Sequence, residues 1–202
     1  MGLASPVTEA GIVFDPPITV EPLDLQLGAA QVEHLPEALR GSLFADDLFV
    51  YAILDSARIF GLPEILENSG LDHACLYSGK AATDLADVAP YIVALTPTSH
   101  ITRRIFTAAD QPQGWWQDRP GAFIRSRHSI DEIRGHLRKY TRLQTDTGGW
   151  MLFRFWEADS LLSLMRESSA KDQKSYFALD HDYCAVRQAG RHSEWLRMRW
   201  AS

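Results

Sequence analysis

From Asp47 the chain alternates short, wholly apolar runs with stretches of helical periodicity. Leu48-Phe49-Val50-Tyr51-Ala52-Ile53-Leu54 ends at Asp55, and uninterrupted apolarity of that length suits a strand covered on both faces. Ile59, Leu62, Ile65 and Leu66 then fall at helical spacing before Gly70, with Pro63 beginning or kinking the helix. Residues 73–77 read as a second strand. Thr83 is placed to cap a short helix carrying Leu85 and Val88, which Pro90 ends. Residues 91–95 form a third strand, and Ser99 caps a helix with Ile101, Ile105 and Ala108 on one face. Strand, helix, strand, helix, strand, helix predicts βαβ units. The expected fold class is therefore α/β, with a mixed, mainly parallel sheet flanked by helices.

The second half continues the pattern. A loop over 111–121 carries Pro112, Pro120 and the pair Trp115-Trp116, and residues 122–126 form a strand. Ser129 and Glu132 make a capping box, in front of a helical stripe of Ile130, Ile133, Leu137, Tyr140 and Leu143. Gly148-Gly149 turns the chain into a predicted strand over 150–156, and a helix with Leu161, Leu164 and Met165 follows. Leu196, Met198 and Trp200 alternate with Trp195, Arg197 and Arg199, a strand signal. Upstream, Pro6, Pro16, Pro17, Pro22 and Pro36 interrupt every candidate element except a short edge strand at Ile18-Thr19-Val20 and a turn or two of helix over 31–39. This divides the chain into an N-terminal arm (1–46), an α/β domain (47–170) and a C-terminal tail (171–202).

Charge sharpens that division. The first 39 residues hold Glu9, Asp15, Glu21, Asp24, Glu33 and Glu37 with no Lys or Arg, so the arm carries the whole net charge of −6. The tail is basic, with Arg187, Arg191, Arg197 and Arg199. The arm is expected to bridge to a basic partner or to pack across its own sheet edge. The composition, 46% apolar and 23% charged, excludes collagen, global disorder and a disulfide scaffold. A net negative chain with a pI near 5.6 is not a general nucleic-acid binder. No apolar run reaches the roughly 20 residues that span a bilayer. The first basic residue is Arg40, so a secretory n-region is missing. Cys75 and Cys184 have no CxxC spacing, and two reduced cysteines in a cytoplasmic protein are expected.

Candidate chemistry is sparse. Tyr77-Ser78-Gly79-Lys80 lies where a phosphate loop would lie, but Ala74 and Ala81 replace its first glycine and its hydroxyl. GxGxxG and GxSxG are absent. Cys75 sits in a strand, where a thiol is inert, and Cys184 near His181 is more accessible but lacks a third orienting group. In Asp180-His181-Asp182, His181 opposes both aspartates across an extended chain, so the triplet reads as a solvated turn and not a metal site. Asp46-Asp47 reads as a cap or turn. No metal or cofactor is expected. Asp55, at the carboxyl end of a strand, either caps the following helix or serves a site there. Arg154, inside an apolar segment, needs a carboxylate partner, Glu157 or Asp159. Trp115, Trp116, Trp195, Arg197, Arg199 and Trp200 are residue types enriched in interaction hot spots; they line a partner surface or pack on their own domain.

Four segments carry a resemblance. They are Tyr51-Ala52-Ile53-Leu54-Asp55-Ser56-Ala57; Val88-Ala89-Pro90-Tyr91-Ile92-Val93-Ala94-Leu95; Ile124-Arg125-Ser126 with His136-Leu137-Arg138; and Phe153-Arg154-Phe155-Trp156-Glu157. In this order they resemble the bacterial type VI secretion effector chaperones, or adaptors, whose shared domain is catalogued as domain of unknown function 4123. In the last segment Glu157-Ala158 stands where the family usually has Asp-Pro. The chain also ends 35 residues after Glu167, where many members carry a longer helical lobe. The resemblance implies a cytoplasmic, non-catalytic protein that binds a toxic effector and helps load it onto a VgrG or PAAR spike protein. Asp55, Pro90, Tyr91, Arg154 and Glu157 would be its motif residues. The rival reading is a small α/β enzyme using Asp55, Arg154 and Glu157 on a phosphorylated or carboxylated metabolite. A third is a homodimer formed through exposed aromatics.

Overall fold

A computed structural model describes residues 11–24, 33–45, 47–108, 113–119, 121–145 and 147–201. Pro6, Glu9, Asp46, Pro112, Pro120 and the first two residues of the 31–39 turn lie outside them. In chain order the elements are β1 (Gly11–Phe14), β2 (Ile18–Val20), β3 (Phe49–Asp55), α1 (Leu62–Glu67), β4 (His73–Cys75), α2 (Lys80–Asp84), β5 (Pro90–Leu95) and α3 (His100–Phe106). There follow β6 (Gly121–Ser126), α4 (Ile130–Leu137), β7 (Arg142–Gln144), β8 (Trp150–Leu152), α5 (Ala158–Glu167), α6 (Ala170–Tyr176), β9 (Asp182–Ala189) and β10 (His192–Ala201).

Eight strands form one sheet in the order β1-β10-β9-β6-β3-β5-β4, with β2 also on β10, and every pairing is antiparallel. The expected mainly parallel sheet is therefore not formed. The reason lies in where the crossovers land. β3 and β4 run in the same direction, but β5 lies between them, antiparallel to both. β5 and β6 likewise run the same way with β3 between. These are interleaved split βαβ units. A strand–helix–strand alternation looks identical in sequence whether its two strands are neighbours or are parted by a third.

The apolar run of β3 is covered on both faces. Val50, Ala52 and Leu54 join one core with Val93 and Leu95 of β5, Leu62 and Leu66 of α1, and Ile101 and Ile105 of α3. Tyr51 and Ile53 join the other, with Ile133 and Leu137 of α4, Leu161 and Met165 of α5, and Tyr183 of β9. Ser99 caps α3 by accepting from Thr102 N at 3.1 Å. At α4 the capping box is complete: Ser129 N donates to Glu132 Oε2 at 2.9 Å, and Glu132 N donates to Ser129 Oγ at 3.4 Å. The Ser129 hydrogen bonds hold the Glu132 carboxyl down to about 2. Thr83 caps nothing and sits inside α2, which begins after Gly79.

Gly121 sets the contact of β6 with β3. At φ 154° its backbone lies so near β3 that a Cβ would stand 1.6 Å from the Ile53 carbonyl oxygen, a position only glycine can occupy. β1 and β2 run in succession along the same edge of β10, parted by Asp15-Pro16-Pro17. Asp15 N donates to Arg197 O at 3.1 Å, which keeps the chain on that edge through the break. The segment predicted as a strand over 150–156 divides. Only Trp150–Leu152 is extended, paired with β7 in a separate two-stranded sheet. Phe153, Phe155 and Trp156 turn into the second core. One apolar run thus serves two environments, which hydrophobicity alone does not distinguish.

Candidate functional site

The carboxyl end of β3 meets the turn that precedes α5, and the motif residues converge there. Asp55 is 1% exposed. Its Oδ1 accepts from Ala57 N at 3.0 Å, a turn bond; it does not cap the following helix as the sequence suggested, because α1 begins only after Gly61. Its Oδ2 accepts from Trp156 Nε1 at 3.0 Å and from the Arg154 guanidinium, 99 positions along the chain. Arg154 also pairs with Glu157 at 3.1 Å, and Glu157 accepts from Arg58 Nη2 at 2.8 Å. Arg58 in turn donates to the Asp118 carbonyl at 3.2 Å. Two carboxylates and two guanidiniums therefore alternate and neutralise one another. Arg58 was not picked out from the sequence; its position three residues after Asp55 was the available signal.

This arrangement clamps three segments. Pro90 is the register partner of Asp55 and opens β5, where its missing N–H costs least. Its carbonyl accepts from Leu76 N at 2.9 Å. Tyr91 follows, buried, its hydroxyl pushed up to about 12 mainly by that burial. Tyr183 donates to the Phe155 carbonyl at 3.1 Å and fixes the turn from beneath. Both oxygens of Asp55 are engaged within the chain. The hollow beside the cluster, lined by Arg58, Arg119, Trp156 and Glu157, holds about 90 Å³. The arrangement is a structural clasp that ties the end of β3 to the turn before α5.

The aromatic and basic candidates separate. Trp115 and Trp195 lie in the first core, Trp115 with the Arg104 guanidinium 4.3 Å above its ring and Trp195 with Phe123 at 5.2 Å. Both rings are buried. Trp116 and Trp200 are half-buried. Arg197 is held between Asp182, at 2.9 Å, and Asp15, at 3.0 Å; Arg199 reaches Asp15 at 3.7 Å. One acid of the arm, Asp15, thus meets two bases of the tail within one molecule. Exposed apolar side chains lie elsewhere, Phe60, Phe49 and Phe14 among them, and three fall together in β8: Trp150, Met151 and Leu152 are 69%, 50% and 57% exposed. Reading 150–156 as a single buried strand concealed them.

The Asp180-His181-Asp182 triplet is not a solvated turn. His181 and Asp182 are buried, and Asp182 opens β9. Asp182 accepts from Arg125 Nη1 and from Arg197 Nε, each at 3.0 Å. Burial pushes its carboxyl up while the two guanidiniums draw it back. His181 packs among His136, Tyr176 and Phe177, and burial pushes it down to about 3. His136 Nε2 donates to the Tyr176 carbonyl at 2.6 Å. Cys184 is fully buried, not accessible, and burial pushes its thiol far up. Among the described residues, no three His, Cys, Asp or Glu side chains are grouped to hold a metal ion, and no helix is long and apolar enough to cross a membrane.

Comparison with known proteins bears out the family resemblance. No curated protein and no solved structure matches the chain. A family model described as "Domain of unknown function (DUF4123)" matches residues 50–175, from β3 to α6. That is more than half of the chain and includes every member of the Asp55–Arg154–Glu157–Arg58 clasp. The chain belongs to the DUF4123 family, which is associated with type VI secretion effector adaptors.

Proposed function

We propose that this protein is a non-catalytic adaptor that holds a type VI secretion effector in the cytoplasm and delivers it to a VgrG or PAAR spike protein. The observation that carries the reading is how the molecule allots its side chains. The polar motif groups are consumed by the Asp55–Arg154–Glu157–Arg58 clasp. The Trp150-Met151-Leu152 strip is left in water. Exposed apolar side chains gathered in one short hairpin are costly unless a partner covers them. Family membership supplies the class of partner.

Co-expression with a candidate effector, with and without this chain, tests the proposal. The chain should raise the soluble yield of the effector, co-elute with it at fixed stoichiometry and be required for its secretion. Effector yield and secretion that do not depend on the chain would overturn the reading. So would a strong, specific thermal shift with a small phosphorylated or carboxylated metabolite.

A further inference from the structure

We propose that the groove between α4, the turn after β4 and the β7–β8 hairpin receives an acidic segment of the protein partner. Its carboxylates would meet Arg138, Lys139 and Arg142, and an apolar side chain would lie on Trp150. The inference rests on the adaptor reading and adds the docking face and the chemistry of what docks.

The groove has a volume of about 490 Å³ and is lined by Tyr77, Ser78 and Trp150 as well as the three cations; among the described residues no carboxylate lines it. Among the described residues, Arg138, Lys139 and Arg142 make no ion pair. By contrast Arg58, Arg125, Arg154, Arg187 and Arg197 are each paired with a carboxylate of this chain. Three uncompensated cations around one concavity repel each other, and an anionic ligand relieves that cost.

The floor gives a second, independent sign. Gly135 lies inside α4, where glycine is unfavourable relative to alanine. A Cβ there would meet nothing within 4 Å, so packing within the chain does not require the glycine. A side chain at that position would instead project into the groove.

The occupant follows from the chemistry of the walls. Trp150, 69% exposed and lining the groove, calls for apolar matter beside the charge, which a bare phosphate does not offer. A polynucleotide binds along a track of many cations, whereas three line this groove. The chain's own arm has Asp15 and Glu33 already bound to Arg197 and Arg40. An acidic polypeptide segment with an apolar anchor satisfies all three conditions.

Fluorescence polarisation on the full chain tests this with a labelled peptide of alternating glutamate and leucine, its glutamine counterpart, and a single-stranded oligonucleotide. The glutamate peptide should bind, weaken as salt rises, and exceed the glutamine peptide. The double variant Arg138→Glu, Arg142→Glu should lose about tenfold or more in affinity, equivalent to about 1.4 kcal/mol. Gly135→Trp should block the peptide while the melting temperature stays near that of the parent chain. Equal binding of the two peptides, no loss in either variant, or preference for the oligonucleotide would overturn the proposal. Capture of a defined effector separates the two readings. A parent chain that captures it and a double variant that captures it equally well reject the groove alone. A parent chain that captures no effector rejects the adaptor reading, while the peptide titration still decides the groove.

Discussion

Asp55 is an anion almost without access to water, so its partners decide what it costs. Arg154→Met removes its guanidinium and leaves the carboxylate with the Ala57 amide, the Trp156 indole and Arg58 Nε at 3.9 Å. Breaking a buried pair from one side typically costs about 3–5 kcal/mol. Arg154 itself is 40% exposed, so a loss of about 2 kcal/mol is expected. Asp55→Asn keeps an acceptor and should cost less than Arg154→Met. Urea unfolding of the two single variants and the double variant would show a coupling above about 1 kcal/mol; additive losses would mean the clasp does not act as a unit. His181 gives a second test. In the folded chain it stays neutral down to about 3, whereas in the unfolded chain it binds a proton near its ordinary value. The unfolded state therefore holds more protons between about pH 6.5 and pH 3, and stability falls as pH drops through that window, by up to about 1.4 kcal/mol per pH unit. His181→Phe should flatten that slope whatever it does to stability at pH 7. An unchanged slope would assign the pH dependence to other groups.

Two glycines make opposite predictions about the elements that hold them. Gly121→Ala puts a Cβ against the Ile53 carbonyl and must push β6 away from β3, at a cost of about 1–3 kcal/mol. Gly135→Ala adds a methyl group into open space on a helix and should stabilise by about 0.5–1 kcal/mol. Thermal melts of both variants, shifted in opposite directions, would check the pair. The elements themselves were largely legible. Ser99 and Ser129 announce α3 and α4 because their side chains bond amides two or three residues away, and such local chemistry is written in short words of sequence. β3 was legible because coverage on both faces demands a continuous apolar run. β9 was not, since Asp182 and Arg187 interrupt its apolar character and their partners, Arg125, Arg197 and Glu194, come from other strands.

The molecule joins its ends in one sheet. β1 and β2 cover the edge of β10, the longest strand, and Asp15 neutralises Arg197 and Arg199. The outer edge is then a four-residue strand stopped by Pro16-Pro17, a blunt edge that resists pairing with other chains. Deleting residues 1–20 would bare β10 and leave Arg197 with Asp182 alone. Lower melting temperature and self-association measured by light scattering are expected; a truncated chain that stays monomeric with an unchanged melting temperature would show that β10 needs no cover.

Residue order alone carried the caps, the apolar runs, the helical stripes and the four motif segments, because each is a relation among residues close in the chain. Strand direction was decided only in three dimensions, since a crossover helix does not disclose whether a third strand lies between the two it connects. The fate of the tryptophans was decided there too: Trp195 entered the core although Glu194 and Arg197 flank it, and Trp150 was left in water although an apolar run follows it. Asp55 found Arg154 across 99 positions because folding closes loops of that length whenever burial of a charge requires its counter-charge.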